Sequence, residues 1–143
     1  MIRLSALLLL FVSFISGAFA QTQTPASAAA AIAAAKGIAP GNYAGTVQEQ
    51  GGSRSATIKM TIRDVTADGR VTATVESTHT RASCAKRLPL NGMVLPEGNM
   101  RLTVDDGAPE GCERLYNVKV ATGGSLSGTF IEGKGATSKA LKK

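Results

Sequence analysis

The amino-acid sequence predicts an all-β protein: an antiparallel up-and-down meander of seven to eight strands closed into a small soluble barrel, after a signal peptide and an Ala-rich tether. Three observations carry that expectation. A heptapeptide returns four times, as GNYAGTV from Gly41, GRVTATV from Gly69, GNMRLTV from Gly98 and GSLSGTF from Gly124. Within each copy apolar and polar residues alternate, the pattern of a half-buried strand. Tight turn sequences precede three of the copies, around Asp68-Gly69, Glu97-Gly98 and Gly123-Gly124, where Gly and Asp tolerate the positive φ that hairpin turns demand.

The chain divides into residues 1–20, 21–40 and 41–143. Arg3, an apolar run from Leu4 to Ile15, and Ala18-Phe19-Ala20 have the order of a secretory signal with cleavage expected after Ala20. The run is shorter than the roughly 20 residues that a spanning helix needs. Removing it leaves Tyr43, Tyr116 and Phe130 as the aromatics. The Ala run that follows favours helix by propensity but is too short to hold one in water without packing. Residues 21–40 therefore read as a flexible tether or frayed helix, ended by Gly37 and Pro40.

In the first strand Tyr43, Gly45 and Val47 point inward. SATIKMTIRDV returns with Ala56, Ile58, Met60 and Ile62 inward and Thr57, Lys59, Thr61 and Arg63 outward. The second copy directs Val71, Ala73 and Val75 inward, and Arg87 to Met93 returns with Leu88 and Leu90. The third copy contributes Met100, Leu102 and Val104, and Arg114 to Ala121 returns with Tyr116, Val118 and Val120. The fourth copy supplies Leu126, Gly128 and Phe130, and residues 137–141 offer a weak eighth strand. Sequential hairpins of this kind close most economically into a barrel. A lipid-embedded barrel would turn its apolar set outward beneath aromatic girdles; here the outward set carries Lys59, Arg63, Arg70 and Arg101.

Cys84 and Cys112 precede the returning strands of the second and third repeats. In a meander those strands are separated by one other, about 9.6 Å apart, beyond the roughly 7 Å limit for a disulfide. A bridge must therefore join the loops, as expected of two cysteines in an exported chain. The longer segments Gln48 to Arg54, Ser77 to Ala85, Asp105 to Gly111 and Glu132 to Ala136 gather at that end, where binding residues usually sit. Around the bridge Arg81, Lys86, Arg87 and Arg114 form a candidate basic rim for an anion or an acidic partner. Inside, Gly45, Ala73 and Gly128 are small, which either leaves room for a ligand or serves strongly coiled strands.

Catalysis finds little support: His79 is the lone imidazole, and no nucleophile elbow, metal-binding His pair or phosphate loop is present. Cys84, Cys112 and His79 are too few for a metal site, so no metal or cofactor is expected. The net charge of +6 is modestly basic, but single-strand nucleic-acid platforms stack bases on aromatics, and the three here include Tyr43 and Phe130 in inward positions.

The opening GNYAGT and VTADGRVTATVES, Val65 to Ser77, resemble the calycin superfamily of avidin- and lipocalin-type barrels. The resemblance implies an eight-stranded barrel with a small ligand in its mouth. Biotin binding in avidins depends on pocket tryptophans, and this chain has none. In plan it is also similar to bacterial periplasmic inhibitors of proteases and lysozymes, which are small disulfide-bonded barrels. The expectation is a periplasmic or secreted, non-enzymatic binding module for an unidentified protein or anionic ligand, without nucleic acid and without a membrane span once the signal is removed. A hydrolase inhibitor and a small-molecule carrier are the alternatives.

Overall fold

Seven strands, β1 (Gly41–Glu49), β2 (Ser55–Val65), β3 (Arg70–Ser77), β4 (Arg87–Val94), β5 (Met100–Val104), β6 (Arg114–Val120) and β7 (Ser125–Glu132), form a closed barrel. The computed structural model describes residues 25–104 and 108–133. Each strand pairs antiparallel with the next, and β7 pairs parallel with β1. The parallel seam follows from the odd number. In a meander of seven strands the last runs in the direction of the first, so their ladder takes the slanted parallel form. Direct pairing of β1 with β7 completes the cylinder at seven. The expected signal segment (1–20) and the candidate eighth strand (137–141) lie outside the described residues.

Alternation places one side of every strand inside. Val47, Ile58, Met60, Ile62, Val71, Val75, Leu90, Met100, Leu102, Tyr116, Val118, Leu126 and Phe130 are buried in one continuous cluster. Tyr43, Val65, Val104 and Val120 pack against it partly exposed. Burial of each large side chain stabilises by about 1.5–3 kcal/mol against exposure, so this cluster supplies the main drive for closure. The ladder of β2 and β3 shifts register between Ile62 and Asp64. A bulge reverses parity: Arg63 and Asp64 both stand exposed, and Val65 turns back toward the interior opposite Val71.

The small inward residues serve close approach between strands. A Cβ on Gly45 would lie 1.8 Å from the Leu126 carbonyl oxygen, and one on Gly128 would lie 2.1 Å from that of Asn117. At both places the adjacent backbone occupies the space a side chain would need, as strongly coiled strands require.

The three tight turns are built alike. Gly69, Gly98 and Gly124 donate to the carbonyls of Thr66, Leu95 and Ala121 at 2.8–3.0 Å, and all three have φ between +81° and +86°. The second, third and fourth heptapeptides thus open on the residue that the hairpin turn needs in left-handed conformation.

Within residues 21–40, expected to be a flexible tether or frayed helix, Pro25–Ala35 form helix α1, which lies at this turn end. Packing supplies what propensity lacks: Ala33 and Ile38 are each 3% exposed and belong to the barrel core cluster. A Cβ on Gly69 would come within 2.8 Å of the Ala29 methyl group. The helix ends in a Schellman cap, with Gly37 at φ +67° and Ile38 N–H donating to Ala33 at 2.9 Å. The Tyr43 hydroxyl fixes the exit, lying 2.9 Å from the Ala39 carbonyl and 3.2 Å from that of Gly37. Among the described residues no helix is long and apolar enough to cross a membrane.

Candidate functional site

The end opposite α1 carries the longer loops. Cys84 and Cys112 are joined by a disulfide with a Cα separation of 5.6 Å. As loop geometry requires, the bridge ties the β3–β4 connection to the residues preceding β6. Each cysteine also closes a turn: Cys84 N–H donates to Arg81 and Cys112 N–H to Pro109, both at 2.9 Å.

Beneath the bridge lies a buried polar cluster. Arg114 is 2% exposed. Its Nη2 donates to the His79 carbonyl at 2.6 Å and lies 2.9 Å from Glu132 Oε1. That second approach is an ion contact without hydrogen-bond alignment, because Glu132 Oε1 has no aligned donor among the described residues. Glu132 also meets Arg54 at 3.3 Å, and Arg54 Nε donates to Glu49 at 2.8 Å. The Arg54 guanidinium holds the Glu49 carboxyl below the usual carboxylate range. The Tyr116 hydroxyl sits beside Arg114 and Ser77, and burial pushes its pKa up. Arg114 Nε, Arg114 Nη1 and the Tyr116 hydroxyl have no hydrogen-bond partner among the described residues.

The expected basic rim is not one constellation. Arg114 is corrected from rim to interior, because it shares parity with inward Tyr116 and Val118 on β6 and pairs in register with inward-facing Glu132. Arg87 stands outward on β4 and is held by Glu76, its Nε donating at 2.8 Å. Arg81 and Lys86 are exposed on the pinned loop, with no ion-pair partner among the described residues. No group of three or more His, Cys, Asp or Glu side chains among the described residues is placed to hold a metal ion.

Sequence reasoning did not find the outer face of β1–β4. Ala44, Lys59, Glu76 and Arg87 stand opposite one another in a row across four strands. Asn42, Thr61, Thr74 and Pro89 form the adjacent row, where Thr61 Oγ1 donates to Asn42 at 2.8 Å. A cleft of about 420 Å³ overlies these rows. A second, of about 390 Å³, continues over Thr57, Ser77, Thr78, Thr80 and Lys86 and shares Lys59 and Glu76 with the first. Both volumes fall within the roughly 300–1,000 Å³ of ligand clefts. The available signal was the outward parity of Lys59 and Arg87, but their alignment depends on the inter-strand register.

No protein-family model, curated protein or solved structure matches this chain.

Proposed function

We propose that this chain is an exported, non-enzymatic binding module that holds a polyanionic partner in the groove across β1–β4. One observation carries the reading. Lys59 and Lys86 line the groove without an ion-pair partner among the described residues, whereas its acid, Glu76, is engaged by Arg87. Two uncompensated cations on a rigid sheet, beside a loop pinned by Cys84–Cys112, form a preorganised electropositive surface. A calycin-type carrier would need a void within the barrel. The interior positions hold the buried cluster and α1 lies over the turn end, so the outer groove supports the function better.

The test separates a located site from general basic charge. Retention on immobilised dextran sulfate and on immobilised polyglutamate is measured for the protein, for Lys59→Gln/Lys86→Gln, and for Arg63→Gln/Lys119→Gln, which removes equal charge outside the groove. The first pair should lower the affinity for at least one matrix by about tenfold, equivalent to about 1.4 kcal/mol, and the second by less than about twofold. Equal losses, or no retention on either matrix, would overturn the reading.

A further inference from the structure

Resting on that groove reading, we infer that the occupant is an anionic polysaccharide, a chain of sugar hydroxyls carrying sulfate, phosphate or carboxylate groups, rather than an acidic peptide. The first ground is topological. A peptide most readily binds a sheet by adding a strand to a free edge, and every strand of this barrel is paired on both sides. The groove therefore offers side chains and no open ladder.

The second ground is the lining. Asn42, Thr57, Thr61, Thr74, Ser77, Thr78 and Thr80 present amide and hydroxyl groups. Hydroxyls both donate and accept, which suits a ligand whose own hydroxyls do the same. The larger apolar groups along these clefts are confined to Tyr43 and Met60, so the lining is mainly polar and offers little to the apolar side chains of a peptide. Thr74 is 7% exposed, lines the cleft, and its hydroxyl makes no hydrogen bond among the described residues. Neighbouring hydroxyls are already engaged: Thr61 with Asn42, Thr78 with the Thr57 backbone and Thr80 with the Ser77 carbonyl. Thr74 thus supplies a free donor at the floor.

The third ground is charge spacing. Lys59 is on β2 and Lys86 immediately precedes β4, two strands away, a separation of about 9.6 Å at ordinary strand spacing. Anionic groups that meet both are therefore spaced along an extended ligand, a spacing that a polysaccharide substituted at intervals can supply.

The mature protein is titrated calorimetrically with sulfated dextran oligomers, neutral dextran of equal length and polyglutamate of equal charge, at one ionic strength. Sulfated dextran should bind at least tenfold more tightly than either comparator. Thr74→Val, which keeps the shape and removes the hydroxyl, should weaken it at least threefold, and circular dichroism checks that the variant is folded. Polyglutamate binding as tightly, or sulfated dextran binding unaffected by Thr74→Val, sinks the polysaccharide assignment and leaves the groove reading standing. Binding of none of the three sinks both.

Discussion

At its turn end the barrel is covered by apolar contact: Ala33 and Ile38 settle into the core, and one tyrosine hydroxyl holds the chain beneath them. At its loop end the same cylinder is closed by a covalent bond and buried charge, through Cys84–Cys112 and the contacts of Arg114 with His79 and Glu132. Apolar burial is non-directional, so the turn end accepts many sequences. A buried guanidinium requires its partners in place, so the loop end requires this one. Through Glu132, Arg114 reaches Arg54 in the β1–β2 loop. Through His79 it reaches the loop that carries Cys84. The loops are thereby held in a fixed mutual arrangement, which a binding surface needs and a plugged end does not.

The contrast is broken most strongly at Arg114. Arg114→Met leaves Glu132 without its buried partner and should cost about 3–5 kcal/mol, whereas Arg114→Met/Glu132→Leu should fall near neutral. Urea denaturation of both variants measures the difference, and a single variant as stable as the double would show that the ion pair does not organise this end. Next is the disulfide. With a separation of 28 residues, Cys84→Ser/Cys112→Ser should lose about 3.5 kcal/mol in the chain-entropy model, read from the shift in denaturation midpoint; a loss below about 1 kcal/mol would mean the buried cluster fixes the loops unaided. The smallest effect belongs to the turn end. Tyr43→Phe removes the hydroxyl contacts to Ala39 and Gly37 and should cost about 0.5–1.5 kcal/mol. A Tyr43→Phe loss equal to that of Arg114→Met would abolish the distinction between the ends.

Much of this was legible in the sequence because period two is a local property. Val71, Met100 and Leu126 identify their strands' inward faces without knowledge of any neighbour, and hairpin order then brings the two cysteine loops to one end. Arg114 was misassigned although its parity with Tyr116 was in view, because a charged residue next to a loop reads by default as solvated. The helix was hidden for another reason. Its Ala run has little amphipathic pattern, and its stabilising contacts with the barrel come from Ala33 within it and Ile38 beyond its last turn. The row Lys59–Glu76–Arg87 depends on three strands being in register, and the bulge after Ile62 shows how one extra residue alters that alignment.

The parallel seam has a consequence for how the molecule comes into being. Gly41 and Glu132 bound the barrel in sequence, yet β1 and β7 are neighbours in space, so the contact that shuts the cylinder is also among the most distant along the polypeptide. Joining such remote segments carries a large loop-closure entropy and slows folding. Until the final strand is available, a growing chain presents two unprotected flanks that can recruit other copies.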